Sequence, residues 1–203
     1  MKKPRATIGQ LISFTGLLSD FRLVDRTLWL RGSNRPENDA EHSYALATAA
    51  LYLISVNKLK LNLAKVLSYA LIHDLVEVHA GDTFFYQTDP KAAEKKQKRE
   101  HAAAQKLAKT FPEFTEMHAL IKAYELRKDK ESRFVYVLDK VLPMIQIYLD
   151  GGKTWHKCGT TYQMAWDGKR KKVTHSPEME AYFHELMRIL KKKEKRLFGK
   201  KVK

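Results

Sequence analysis

Cysteine is the residue that this sequence has least of, since Cys158 is the only one among 203 residues. A single thiol excludes an internal disulfide and an all-cysteine zinc site, which fits a reducing compartment, and we expect a cytoplasmic protein. Long apolar runs are also missing, so we expect no membrane span. The N-terminal stretch MKKPRATIGQLISFTGLL does not predict a signal peptide, because Gln10 and Ser13 interrupt its apolar part and no small-residue cleavage site follows.

Alternating hydrophobic patterns with hairpin turns are scarce, which argues against a β-rich fold. Helical periodicity covers most of the chain, and no repeat recurs at a fixed period. We therefore predict an all-α fold. Residues 151–176, which are rich in Gly, Thr and aromatic side chains, predict an irregular excursion or a short hairpin. The predicted helices lie near residues 7–19, 39–57, 62–79, 91–110, 114–127, 131–150 and 177–197.

Acidic residues are outnumbered by basic ones, 23 to 38, which gives a formal net charge of +15. The last thirteen residues, KKKEKRLFGKKVK, contain eight Lys or Arg and one Glu. Like charges in a row repel each other and favour exposure, so we predict a single domain over residues 1–190 and a basic tail over residues 191–203. The tail leaves nucleic-acid binding open as an alternative function, and its charge can equally attract an anionic substrate.

The most informative stretch is LAKVLSYALIHDLVEVHAGD, from Leu63 to Asp82, because it places ionisable groups on an apolar helical stripe. Helical spacing puts Asp74 on this stripe, with His73 beside it and Glu77 one turn further on. Burying an unpaired charge is costly, so Asp74 needs a partner, and a metal ion is a partner that would also recruit His73. The stripe itself consists of Leu63, Val66, Leu67, Ala70 and Leu71.

Two other predicted helices direct similar groups inward. His42 follows a capping box formed by Asn38 and Glu41, and the helical period places it on the buried face of its helix. Asp139 lies on the apolar stripe of the helix predicted over residues 131–150. Each has a structural alternative, since His42 can be a buried histidine bonded to a carbonyl and Asp139 can belong to an ion pair.

Together these helices supply two imidazoles and two carboxylates, from His42, His73, Asp74 and Asp139. A mixed nitrogen and oxygen set suits Mn, Fe, Co, Ni or Zn and leaves positions for water and substrate. Such a metal lowers the pKa of bound water and polarises a phosphoryl or carbonyl oxygen, so hydrolysis is the expected chemistry.

These residues resemble a known family, the HD-domain phosphohydrolases, whose pattern H…HD…D is met by His42, by His73 with Asp74, and by Asp139. The segments RPENDAEHSYALA, LIHDLVEVHAGD and ESRFVYVLDKVLPMIQ look like the branch that contains 5'-deoxynucleotidases. The resemblance implies a compact HD-domain helical bundle that holds one divalent metal ion on these four residues. The ion would be Mn, Co, Zn, Mg, Fe or Ni.

The resemblance also implies roles for residues beside the metal. Glu77 and Asp82 would act in catalysis and substrate handling, although Asp82 also suits a helix exit as a turn residue. Arg26, in VDRTLW, would grip the phosphate, with Arg31 and Arg35 as alternatives, because arginine is the expected bidentate partner of phosphate.

The expected reaction is hydrolysis of a (deoxy)nucleoside 5'-monophosphate to nucleoside and phosphate by metal-activated water. One alternative is an HD hydrolase of another nucleotide: a triphosphate, a cyclic dinucleotide or a ppGpp-type alarmone. The other is a basic nucleic-acid-binding protein with a vestigial metal site. The branch also implies a homodimer, in which the C-terminal apolar stripe either contacts the partner or closes the protein's own core. That stripe consists of Met179, Phe183, Leu186, Met187 and Leu190.

Overall fold

The computed structural model describes residues 6–81 and 92–198. Helices dominate these ranges, which confirms the predicted all-α fold, and one short hairpin accompanies them. The hairpin strands are β1 (Asp25–Trp29) and β2 (Pro36–Asn38). The helices are α1 (Ile8–Phe21), α2 (Asp39–Asn57), α3 (Leu63–Ile72), α4 (Glu77–Ala80), α5 (Ala92–Thr110), α6 (Thr115–Leu126), α7 (Lys130–Leu149), α8 (Lys153–Lys157), α9 (Tyr162–Val173), α10 (Pro177–Lys192) and α11 (Glu194–Leu197).

The start of α2 is set by the predicted capping box. The Asn38 side chain accepts a hydrogen bond from the Glu41 backbone N–H, and the Glu41 side chain accepts one from the Asn38 N–H. Two N–H groups that the helix cannot satisfy internally are thereby paired. His42 is consequently held at the end of the first turn of α2.

The hairpin before α2 was not predicted from the sequence. β1 and β2 pair in antiparallel register, with Asp25 opposite Asn38. Gly32 in the connecting turn has φ of +72°, a left-handed value that favours glycine. The pairing brings Arg26 on β1 close to Glu37 on β2, at the point where the chain enters α2.

The helix predicted over residues 62–79 is interrupted, which corrects the sequence interpretation. α3 ends at Ile72, residues 73–76 form a turn, and α4 begins at Glu77. In this turn the N–H groups of Leu75 and Glu77 donate to the carbonyls three residues earlier, at 3.0 and 2.8 Å. Such bonds wind the backbone more tightly than an α-helix does. Asp74 and Glu77 therefore do not share one continuous helical face.

Residues 151–176 contain α8 and α9, so the predicted irregular excursion is wrong. Thr161 caps α9 by accepting a hydrogen bond from the Met164 N–H at 3.1 Å. The aromatic residues of this segment are spaced for packing: Tyr162 and Trp166 lie one turn apart and pack on the main core. Turn-forming residues in this segment thus connect and cap helices, and their abundance hid the helical period.

The last described residues pack on the same core. The predicted boundary at residue 190 falls inside α10, and Leu197 and Phe198 beyond it are buried. Phe198 stacks on Trp155 with ring centroids 4.3 Å apart. Gly152, with φ of +87°, lies so close to Leu197 that a Cβ atom would collide with the Leu197 backbone. Residues 191–198 of the predicted basic tail thus include helical segments and two core side chains, and residues 199–203 lie outside the described ranges.

The five apolar residues of the α10 stripe are all buried, so this stripe closes the protein's own core. The main core lies between α2, α3, α7, α9 and α10, and a smaller one joins α1, α5 and α6. Of the helices described, none has both the length and the apolar character required to cross a bilayer.

Candidate metal centre

Four predicted side chains converge where α2, α3 and α7 meet. His42, His73, Asp74 and Asp139 each offer one ligand atom, and these four atoms all lie within 4.8 Å of one another. His42 Nε2 is 3.0 Å from Asp139 Oδ1, and His73 Nε2 is 3.0 Å from Asp74 Oδ2. Both imidazoles and Asp139 are buried, whereas the Asp74 side chain is 15% exposed. We call these four residues the HD cluster, and it meets solvent at Asp74.

The donor set of the HD cluster fits a divalent cation. His73 Nδ1 lies 3.1 Å from the Ala70 carbonyl oxygen, and donation to it leaves the Nε2 lone pair facing the cluster. This Nε2 has no hydrogen-bond partner among the described residues, although Asp74 Oδ2 is close. Two neighbouring ligand atoms that do not bond to each other suit a shared metal ion, and nitrogen with carboxylate oxygen suits a transition metal.

Electrostatics also favour a cation in the HD cluster. Burial lowers the pKa of His73, but the carboxylates of Asp74 and Asp139 outweigh burial and raise it to about 10. Burial of Asp74 would raise its pKa, yet His73 and Arg26 hold that pKa below its ordinary value. The carboxylates thus attract positive charge to the HD cluster, and a divalent cation there would compete with a proton for the Nε2 lone pair of His73.

Arg26 reaches the HD cluster from the hairpin. Its Nη1 lies 2.8 Å from Asp74 Oδ2 and 2.9 Å from Asp39 Oδ1, and its Nε lies 3.6 Å from Glu37 Oε2. Glu37 and Asp39 are buried and were not singled out from the sequence. Both stand in the quoted segment RPENDAEHSYALA, but only the hairpin shows that they face Arg26.

Lys140 is a further residue whose role the sequence did not reveal. Its Nζ lies 2.6 Å from Asp139 Oδ2, on the opposite oxygen from the one that faces His42. Although burial lowers the pKa of Lys140, Asp139 raises it overall, so Lys140 stays charged. Lys140 thus pairs with Oδ2 of Asp139, and Oδ1 of Asp139 faces the other residues of the HD cluster.

Glu77 lies buried at the start of α4, and its Oε1 is 3.3 Å from Lys96 Nζ on α5. Burial of Lys96 lowers its pKa, but Glu77, Glu100 and Asp74 together raise it. Lys96 therefore lies within electrostatic reach of both Glu77 and Asp74, which connects Glu77 to the solvent-facing side of the HD cluster.

The remaining predicted site residues lie elsewhere or outside the described ranges. Arg31 is exposed in the hairpin turn, and Arg35 pairs with Glu41 at the surface, with Arg35 Nη1 2.9 Å from Glu41 Oε2. Within the described part of the chain, neither arginine contacts the HD cluster. Asp82 falls outside the described residues, so its predicted role stays a prediction.

The chain matches the HD domain family over residues 18–180. It therefore belongs to the HD-domain family, and the membership of the HD-domain phosphohydrolases that the sequence motifs predicted is confirmed.

Individual relatives of the chain carry names that are more specific than the family. The human 5'-deoxynucleotidase HDDC2 is 31% identical over 139 residues, which cover 67% of this chain and 66% of the human protein, just under two thirds of its length. The 5'-deoxynucleotidase hdd1 of Schizosaccharomyces pombe is 25% identical over 166 residues, 78% of this chain and 81% of that protein.

Solved structures share the fold. A predicted metal-dependent phosphohydrolase from Magnetospirillum magnetotacticum MS-1 is similar with a TM-score of 0.80 and 29% identity, covering 95% of this chain and 98% of that one. An HD-domain phosphohydrolase from Listeria innocua has a TM-score of 0.59 at 16% identity, over 91% of this chain and 86% of that one. The second likeness concerns the fold alone.

Proposed function

We propose that the chain is a divalent-metal-dependent phosphomonoesterase that hydrolyses (deoxy)nucleoside 5'-monophosphates to nucleoside and inorganic phosphate. The observation that carries this proposal is the HD cluster with Arg26 Nη1 only 2.8 Å from Asp74 Oδ2. A guanidinium beside a cation site suits a phosphate, whose oxygens it can bind in a planar, bidentate way. The relatives named 5'-deoxynucleotidase support the substrate class.

A divalent cation held by the HD cluster would supply Lewis-acid chemistry, which activates water and polarises a phosphoryl oxygen. Water attacks phosphorus, the bond from phosphorus to the 5'-oxygen breaks, and the leaving oxygen gains a proton. Arg26 neutralises charge on the phosphoryl oxygens. Glu77 places or deprotonates the water or protonates the leaving oxygen, and its burial beside Lys96 favours a fixed position. Asp82 would bind the sugar hydroxyl. Arg31 is a second candidate for binding the phosphate.

The test combines metal analysis of the purified protein with phosphate release from a panel of nucleoside mono-, di- and triphosphates, a cyclic dinucleotide and ppGpp. We expect the monophosphates to be hydrolysed with Mn²⁺ or Co²⁺ and a chelator to abolish the reaction. Asp74→Ala should remove both metal and activity. Asp167→Ala is the matched control, because Asp167 is half exposed and pairs with Arg170 away from the HD cluster.

Each contrary outcome has a separate meaning. Full metal content and rate in Asp74→Ala would contradict the site. Activity confined to another nucleotide of the panel would contradict the substrate and keep the site. Steeply salt-dependent binding of nucleic acid without any phosphate release would favour the nucleic-acid-binding alternative.

We also propose that the enzyme is a cytoplasmic homodimer. The single Cys158 supports a reducing compartment. Large apolar side chains are exposed on α1 and α2, including Ile8, Ile12, Tyr44 and Tyr52. Exposed apolar side chains form association sites where they adjoin one another. Light scattering during size-exclusion chromatography checks the oligomeric state, and a monomer at all concentrations would contradict the dimer.

A further inference from the structure

A buried carboxylate that the proposed mechanism does not use links a metal ligand to the phosphate ligand. Glu37, on β2, is only 1% exposed. Its Oε2 lies 3.6 Å from His42 Nδ1 and 3.6 Å from Arg26 Nε. Its Oε1 accepts a hydrogen bond from Gln146 Nε2 of α7 at 2.7 Å. One fixed carboxylate therefore faces both functional side chains.

The two ring nitrogens of His42 explain what this carboxylate can do. Nε2 faces the HD cluster, 3.0 Å from Asp139 Oδ1. A neutral imidazole can offer the Nε2 lone pair to a metal only when its proton is on Nδ1, and a buried N–H needs an acceptor. His42 Nδ1 and Glu37 Oε2 both lack a hydrogen-bond partner among the described residues and face each other. A shift of roughly half an ångström would bring them to hydrogen-bond distance.

Arg26 depends on the same carboxylate. Attraction between Glu37 Oε2 and Arg26 Nε orients the inner edge of the guanidinium, and Nη1 contacts both Asp74 and Asp39. The Nη groups are the part of arginine that would meet a phosphate near the HD cluster. Loss of the Glu37 charge should therefore disturb the imidazole and the guanidinium together.

We propose that Glu37 is a positioning residue that keeps the His42 proton on Nδ1 and aligns Arg26, so that metal affinity and phosphate binding depend on one carboxylate. This inference rests on the proposed metal site and on Arg26 as the phosphate ligand. Outer partners of this kind typically change metal affinity by roughly 10–100-fold when they are removed. Glu37 is not a member of the HD cluster and would act through His42 and Arg26, so it is a positioning residue and not a catalytic one.

The experiment compares Glu37→Ala and Glu37→Gln with Glu41→Gln in the same segment. Glu41 is a surface residue, and a glutamine at that position keeps the capping box. Zinc affinity is measured by calorimetry, and the Nδ1–H protons of both histidines are observed by NMR in the zinc-loaded protein. Michaelis constants for a nucleoside monophosphate are measured in parallel.

We expect Glu37→Ala to bind zinc roughly 10–100-fold more weakly, Glu37→Gln several-fold more weakly and Glu41→Gln like the wild type. The Nδ1–H signal of His42 should lie far downfield in the wild type and should move upfield or vanish in Glu37→Ala. The signal of His73 should not change, because its Nδ1 faces the Ala70 carbonyl. The Michaelis constant should rise more than the turnover number falls, since Arg26 is misaligned.

Zinc affinity and NMR signals do not require turnover, so they test Glu37 even if no nucleotide is hydrolysed, an outcome that would overturn the proposed function alone. Wild-type zinc affinity with an unchanged His42 signal in Glu37→Ala would overturn the positioning role. If circular dichroism shows that Glu37→Ala does not fold, the test rests on Glu37→Gln. A zinc affinity and a His42 signal in Glu37→Gln identical to those of Glu41→Gln would then overturn the proposal.

Discussion

The two imidazoles of the HD cluster are neighbours, with ring centroids 5.5 Å apart, but they are held in different ways. His73 directly follows the last residue of α3, and its Nδ1 faces the backbone carbonyl of Ala70. His42 lies in the first turn of α2, and its Nδ1 faces the side chain of Glu37. A backbone carbonyl is present whatever the side chain, whereas a carboxylate can be lost by mutation. The His73 side is therefore fixed by helix geometry, and the His42 side depends on side chains.

The surroundings of the two histidines also differ, because charged side chains surround His42 and a contact between two helices lies near His73. The His42 side contains charged groups from the hairpin and from the start of α2, namely the partly exposed Arg26 and the buried Glu37 and Asp39. The His73 side is anchored between helices: Tyr69, one turn earlier on α3, donates a hydrogen bond to Asp129 at 3.0 Å. Mutations on the first side should change binding, and mutations on the second side should change stability.

The largest effect is expected for Asp139, because it serves both sides. Its Oδ1 lies 3.0 Å from His42 Nε2 and 3.9 Å from His73 Nε2. Asp139→Ala removes a proposed ligand and leaves Lys140 without its carboxylate. We expect metal content and phosphate release to fall to background, a loss above the roughly 10–100-fold typical of outer partners. Elemental analysis after dialysis and a phosphate assay measure both, and retained metal would contradict a shared ligand.

The next largest effect is expected for Arg26→Lys on the His42 side. Lysine keeps a positive charge near Asp74 and Asp39 but lacks the planar fork of arginine. A hydrogen bond to a charged group contributes about 1.5–3 kcal/mol, so the Michaelis constant should rise about tenfold to a hundredfold while metal content stays normal. Steady-state kinetics and elemental analysis check this pair of results. Loss of metal would show that Arg26 supports the ligands rather than the phosphate.

A smaller effect, on stability, is expected for Asp129→Ala on the His73 side. Asp129 caps α7 by accepting the Ser132 N–H at 2.9 Å and also accepts the Tyr69 hydroxyl. Loss of an N-cap costs about 1 kcal/mol in the free energy of unfolding. Urea denaturation at pH 7 measures this loss. An unchanged urea midpoint would show that the cap of α7 and the contact between Tyr69 and Asp129 do not stabilise the protein.

The same residue gives a pH-dependent prediction. Although burial raises the pKa of Asp129, the Ser132 N–H, the Tyr69 hydroxyl and Lys65 lower it overall. A carboxyl whose pKa is depressed by folding stabilises the protein above its unfolded pKa, near 3.9, and this stabilisation is lost as pH falls through the folded pKa. Asp129→Asn keeps a good cap without the charge. The difference in the free energy of unfolding between Asp129→Asn and the wild type, measured by urea denaturation, should therefore be largest at pH 7 and should shrink at pH 3.

The smallest effect is expected for Arg35→Ala. Arg35 is exposed and pairs with Glu41 at the surface. Exposed ion pairs contribute little because solvent screens them, so the urea midpoint should not change measurably and the Michaelis constant should stay within about twofold of wild type. A Michaelis constant that rises as far as in Arg26→Lys would make Arg35 the phosphate ligand.

The sequence allowed part of the site to be predicted because helical spacing is a local property. The capping box fixed the direction of His42, and the apolar stripes of α3 and α7 pointed to Asp74 and Asp139. Glu37 and Lys140 could not be assigned in this way. Glu37 acts through a hairpin with a weak local signal, and the direction of Lys140 follows from packing around Asp139. The break after Ile72 was missed because its turn keeps the apolar pattern of a continuous helix.

The sequence by itself determined the all-α class, the helix bounds to within a few residues at most ends, and the four polar residues that face inward from three predicted helices. These follow from periodicity and capping, which act over a few residues. Only the tertiary structure decided that the ligand atoms lie within 4.8 Å, that Arg26 meets Asp74, and that Glu37 faces both His42 and Arg26. These contacts join distant parts of the chain, and their distances depend on how whole helices pack.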